Sequence, residues 1–228
     1  ILDETAFDNS PYPDGTSVDD LSYAYASPVN AMNINENQFS LFIKPNKTSM
    51  PELTTKLNGN TLIFHNQLTQ SNDSNKNCHV EIHSTTQNNY TLTGCIIRQK
   101  GRQVRSIAIR NINLFASSEI THWLNQQHIP YTGPILFSST PASANVLVAH
   151  YSKPLAQLVR IMLKQSDNLI SNSLLKTLGH RFYKKPGNWK NGLKAMLSIL
   201  APTMNKQFQQ SNITDGAGLS HYNLLTPR

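Results

Sequence analysis

Acidic residues are scarce in this chain. Asp and Glu number 13 against 20 Lys and Arg, and charged residues make only 14% of the 228 positions. Hydrophobic residues reach 38%. That is too little charge and too much apolar side chain for a disordered chain, and enough for one large domain or two small ones. No apolar run approaches the roughly 20 residues that a membrane span requires. No internal repeat or low-complexity tract is visible, and no Met opens the chain at Ile1. A signal peptide lost upstream is compatible with that start.

The shortage of acids leaves a formal net charge of +7. This suits an anionic surrounding such as cell-wall polymer or a membrane surface, and peripheral contact with either is compatible with it. Nucleic acid is not expected as a partner. The basic residues read as scattered, the densest group being Arg181 with Lys184 and Lys185.

Cysteine is limited to Cys78 and Cys95. Each lies by a strand-like segment, with polar turn residues from Ser84 to Asn89 between. A hairpin there brings the two close enough for a disulfide, which persists in oxidising compartments. Two unrelated buried thiols are the alternative.

The first two thirds of the chain read as β-structure. A hairpin is predicted from Ala31–Asn35 and Phe39–Lys44, with further strands at Thr61–Phe64, Cys78–His83, Tyr90–Ile97 and Val104–Arg110. A helix capped at Ser117 or Ser118 carries Ile120, Trp123 and Leu124. Short strands follow at Pro134–Phe137 and Val146–Ala149, and Ile1–Asp3 resembles a strand tail. From about residue 150 the pattern is helical. Pro154 opens a helix with Leu155, Leu158, Val159 and Met162 inside. A second runs from Leu169 to Leu178 and stops at Gly179. A third spans about Asn188 to Leu200, burying Trp189, Leu193, Met196 and Leu197. Thr226–Pro227 announces another helix start. Both ends therefore suggest a piece of a longer protein.

Ser166-Asp167-Asn168 falls between two of these helices. A hydroxyl and an amide two residues apart at a helix mouth can face one cleft, where serine acyl-transferases with a lysine base use such a pair. For the bare tripeptide an ordinary N-cap is the better explanation. Its surroundings are more specific: Tyr151-Ser152-Lys153-Pro154-Leu155, Met162-Leu163-Lys164-Gln165 before the tripeptide, Leu175-Lys176-Thr177-Leu178-Gly179 after it, and Asp215-Gly216-Ala217-Gly218-Leu219-Ser220 later. With Leu92-Thr93-Gly94-Cys95 and the Asp20 to Pro28 stretch, this ordered series resembles the class C low-molecular-mass penicillin-binding proteins, D-alanyl-D-alanine carboxypeptidases/endopeptidases.

The resemblance implies an α+β fold. Residues 149–228 would be a helical part of a penicillin-recognising, β-lactamase-like catalytic domain, and residues 1–148 part of a β-rich inserted region. It implies a periplasmic serine peptidase acting on peptidoglycan stem peptides through an acyl-serine intermediate and acylated by β-lactams, with no metal or organic cofactor. Ser166 and Asn168 match the family's S-x-N motif as catalytic residues. The nucleophile motif S-x-x-K is expected before Ile1 and K-T-G after Arg228, so the 228 residues alone are expected to be inactive. Asp20 and Tyr25 match positions that contact the stem-peptide side chain, where an Asp suits the free amino group of meso-diaminopimelate. His221 stands where the family often has Arg, and offers fewer, pH-dependent bonds to a carboxylate.

Three other features weigh against simpler readings. Ser173-Leu174-Leu175-Lys176 fits S-x-x-K literally, but it follows the S-x-N motif on a helix that reads as core packing. His79, Glu81 and His83 share a strand face beside Cys78; an exposed polar face explains them better than a metal site. A chain lacking both outer motifs also fits a non-catalytic cell-wall-binding or degenerate scaffold protein. The oligomeric state is not legible.

Overall fold

The computed structural model describes residues 1–57, 61–203 and 211–225. Its architecture is α+β. The chain divides into two units that do not follow chain order. One comprises Asp19–Ser27 and Ile34–Gly133; the other comprises Ile1–Val18, Pro28–Asn33 and Pro134–Arg228. Residues 1–18 and 28–33 thus group with the helices, whereas the sequence division near residue 148 assigned them to the β-rich part. Long-range backbone bridges, Leu2 to Phe137 and Phe7 to Gly187, tie them there, and no local pattern announces such bridges.

The β-rich unit holds β1 (Gln38–Lys44), β2 (Glu52–Thr55), β3 (Ile63–Asn66), β4 (Thr69–Ser71), β5 (Val80–Ser84), β6 (Asn89–Ile97), β7 (Gln103–Ala108) and α1 (Ile112–Gln126). One antiparallel sheet runs β2-β1-β7. In the other, β6 is the spine: β5 pairs antiparallel to it, and β3 and β4 pair parallel to its two halves. Alternation sets which side chains go inside. Phe39, Leu41 and Ile43 of β1 are buried, as are Val80 and Ile82 of β5 and Tyr90 and Leu92 of β6. The Tyr90 ring lies edge-on to Phe39 at 5.3 Å, and its hydroxyl donates to the Ala108 carbonyl at 2.8 Å. That bond lets a buried tyrosine keep its polar end satisfied.

Two of the predicted elements need correction here. Residues 31–35 form no strand; Asn35, Glu36 and Asn37 all take positive φ in a tight turn, and β1 pairs with β2 and β7 instead. Helix α1 begins well before Ser117: Asn111 caps it, its side chain accepting from Leu114 N at 2.8 Å. Ile112, Phe115 and Ala116 form its buried face, while Trp123 is 54% exposed. The apolar spacing farther along the helix hid a start that depends on a single asparagine. The Cys78–Cys95 disulfide does form, across the expected β5–β6 hairpin. Glu81, with His79 and His83, points outward and is exposed.

The helical unit contains α2 (Leu155–Gln165), α3 (Asn168–Tyr183) and α4 (Trp189–Leu200). Helix α4 is capped reciprocally by Asn188 and Asn191. Helix α3 does not stop at Gly179 but runs four residues past it. The glycine is a contact point: a Cβ there would collide with Asn191 Oδ1 and lie 2.6 Å from the Gly192 nitrogen of α4. Its missing side chain lets the two helices approach. The predicted α2 stripe is not buried; Leu155 is 62% exposed, and Leu158, Val159 and Met162 are half-buried. Pro134–Phe137 reduces to one parallel bridge with Leu2, and Val146–Ala149 forms no strand and is exposed. The helix start at Thr226–Pro227 lies outside the described residues.

Candidate active site

Ser166 occupies the junction of α2 and α3. It closes α2 as a left-handed residue, φ 54° and ψ 47°, its N–H donating to the Met162 carbonyl. The next amide, of Asp167, donates to the same carbonyl at 3.1 Å. Asp167 then caps α3, its carboxylate accepting from Ile170 N at 2.8 Å. The division of labour matters. The capping role that could have explained the whole tripeptide belongs to Asp167, so the Ser166 hydroxyl is not spent on it. A non-glycine residue at positive φ costs about 1–2 kcal/mol. Such strain tends to persist where a side chain must be aimed. Ser166 is exposed and Asn168, the first residue of α3, is half-buried. Neither is sealed in packing.

The loop after residue 214 is built around one carboxylate. Asp215 is 3% exposed. It accepts from Gly218 N at 2.8 Å, Leu219 N at 2.9 Å, Ser220 N at 3.0 Å and Asn223 Nδ2 at 2.8 Å. Gly218 sits at φ +78° and lets the chain curl around the carboxylate. The loop is fastened to α3 one turn beyond Asn168: buried Asn172 accepts from Gly216 N at 2.8 Å, and the Ser171 hydroxyl donates to the Gly216 carbonyl at 2.5 Å. Ser220 donates to the Asp14 carbonyl, and His221 N to the Gly15 carbonyl at 3.0 Å. The His221 side chain is exposed. Nothing local in the sequence marks Asp215 as the anchor of this loop, or Ser171 and Asn172 as its fastening.

Lys176 of the S-x-x-K look-alike is fully buried. Its ammonium donates to Asp8 Oδ1 at 2.8 Å and to the Ser10 carbonyl at 2.6 Å, and stands 4.6 Å from the Trp189 ring centroid. Burial pushes its pKa below 10.5, while the bond to Asp8 and its charge pull it back. Its ammonium is committed to Asp8 and Ser10, which makes Lys176 a structural cation and not a base for Ser173.

Asp20 and Tyr25 belong to the β-rich unit and meet within it. The Tyr25 hydroxyl donates to Asp20 Oδ1 at 2.7 Å, and the ring stacks on Tyr23. Burial, then the bond to Asp20 and its charge, push the Tyr25 pKa up to about 12. Tyr25 is 48% exposed. A carboxylate held by one phenol keeps further acceptor capacity for an ammonium group.

An S-x-N tripeptide whose cap is Asp167 alone thus lies one helical turn from the fastening of a D-G-x-G loop. The sequence profile of the D-Ala-D-Ala carboxypeptidase 3 (S13) family matches residues 1–228, and the chain belongs to that family. It is 30% identical over 232 residues to D-alanyl-D-alanine carboxypeptidase DacB of Haemophilus influenzae, covering 100% of this chain and 48% of that protein. The crystal structure of penicillin binding protein 4 (dacB) from the same organism superposes with a TM-score of 0.86 at 29% identity, covering 99% of this chain and 50% of that one. A second structure of it, complexed with a novel β-lactam, gives 0.73 at 29% identity over 87% and 46%. The chain therefore spans about half the length of these relatives. The bonded cysteines suit an oxidising, extracytoplasmic setting.

Proposed function

We propose that this chain is part of a periplasmic serine-type D-Ala-D-Ala carboxypeptidase/endopeptidase acting on peptidoglycan stem peptides and acylated by β-lactams. In this reading residues 149–228 belong to the catalytic domain and residues 34–133 to an inserted region. A nucleophilic serine from an S-x-x-K motif outside the chain attacks the peptide carbonyl. The terminal D-Ala leaves as the amine, and water hydrolyses the acyl-serine. Ser166 relays the proton between lysine and leaving group, and Asn168 holds the substrate amide. Asp20 and Tyr25 receive the amino group of the stem-peptide side chain, and His221 a carboxylate.

The observation that carries this reading is Ser166 itself: an exposed hydroxyl held at positive φ while Asp167 does the capping. In the full-length protein, Ser166→Ala should slow acylation by labelled penicillin by about 10²–10⁴-fold, the range for a lost proton relay. Failure of the full-length protein to label at all, or unchanged labelling of the variant, defeats it. A non-catalytic wall-binding scaffold is the second reading. It is favoured by the fact that the literal S-x-x-K here has its lysine locked to Asp8; an unlabelled but folded full-length protein would establish it.

A further inference from the structure

The acidic residues are distributed unevenly. Beyond Glu119 the chain has only Asp167 and Asp215, against eleven of its Lys and Arg residues. Both acids are consumed internally, Asp167 as a helix cap and Asp215 by four donors within its own loop. Helices α3 and α4 contain no carboxylate at all.

Five of these basic residues fall between positions 181 and 194. The close approach at Gly179 brings α3 and α4 together. At their joined end, Arg181 of α3, Lys184 and Lys185 of the connection, and Lys190 and Lys194 of α4 are all exposed. The end is compact: His180 Nδ1 meets the Lys185 carbonyl at 2.8 Å, Asn191 Nδ2 donates to the Pro186 carbonyl at 2.8 Å, and Lys194 Nζ stands 5.8 Å from the Tyr183 ring centroid. Phe182, next to Arg181 in the chain, is 50% exposed. The carboxylates that share a cleft with Pro186 are Glu4 and Asp8. Asp8 is paired with Lys176, and Glu4 accepts from Asn30.

We infer that the α3–α4 end is a docking surface for an anionic phospholipid bilayer. Five exposed cations lie at the joined end of two helices that carry no acid, and Phe182 offers an exposed ring to the headgroup region. The Cys78–Cys95 disulfide directs the choice of polyanion: an oxidising compartment offers membrane leaflets rather than nucleic acid. The surface is separate from Ser166 and Asn168, at the opposite end of α3, so docking leaves that junction open. The inference stands independently of the peptidase reading.

The test is sedimentation of the full-length protein with vesicles of phosphatidylcholine containing 0 or about 40% phosphatidylglycerol, at low and high salt. Binding should require phosphatidylglycerol and fall with salt. Lys184→Gln/Lys185→Gln/Lys190→Gln should weaken it on the order of 100-fold, about fivefold per cation. Lys44→Gln/Lys47→Gln/Lys76→Gln, exposed positions of the other unit with the same charge loss, should leave it nearly unchanged. Phe182→Ser should weaken binding while leaving its salt slope intact. The inference is overturned if both triple variants weaken equally, which would mean net charge alone. Retention by wall polymer or nucleic acid but not by vesicles overturns it as well.

Discussion

The pair Lys176–Asp8 allows a test in which the smaller perturbation is the one that removes the charge from the interior. In Asp8→Asn the ammonium stays buried with the Ser10 carbonyl and the Trp189 ring but no anion. Breaking a buried pair this way costs about 3–5 kcal/mol. The Asp8 side chain is 32% exposed, so water lowers the expected cost to about 2–3 kcal/mol. In Lys176→Met the charge disappears with little change in volume. The Ser10 carbonyl keeps a partner, because Trp189 Nε1 also donates to it at 3.0 Å, and Asp8 turns to solvent. That variant should cost about 1 kcal/mol or less. The double variant should resemble Lys176→Met, a coupling of about 2 kcal/mol. Urea unfolding followed by Trp189 fluorescence reads these differences beside the pair itself. Lys176→Met proving as damaging as Asp8→Asn would refute the reasoning, since the attraction rather than the unpaired burial would then dominate. The pH dependence has a definite sign. Burial lowers the Lys176 pKa below 10.5, so between the lowered value and 10.5 the unfolded chain holds a proton the folded chain has released. Stability contributed by this group therefore rises with pH across that window, and the wild type should gain on Lys176→Met as pH approaches 10.5.

Gly179→Ala should destabilise the helical unit by about 1–3 kcal/mol, because its Cβ meets the backbone of α4; thermal unfolding measures it, and a neutral result would mean the helices can part freely. Reducing the disulfide, whose cysteines are 17 residues apart, should cost the β-rich unit about 3 kcal/mol by the loop-closure model; unchanged thermal stability in reductant would contradict it. Asn172→Ala leaves the Gly216 amide without its acceptor, for about 1–3 kcal/mol. Hydrogen exchange should show the 215–220 amides opening first, and uniform loosening of the molecule would argue against a local fastening.

Much of this protein was legible because it is periodic or punctuated. Alternation marked β1 and β5–β7 to within a few residues, since one face of each strand is buried. Helices α2 and α4 announced themselves by Pro154 and Asn188. The S-x-N tripeptide was legible as a family pattern, although its N-cap alternative could be separated only once Asp167 was seen to cap alone. Features formed by distant residues were not legible. Gly179 reads as a helix stop in one dimension because a glycine's close approach to another helix leaves no local mark. Lys176 reads as a candidate base because its partner Asp8 lies 168 positions away. Local sequence settled where apolar periodicity lies along the chain, a matter of neighbouring residues, though not every start and stop. Tertiary structure decided which charges are buried, paired or gathered, because burial and Coulomb energy depend on distance in space.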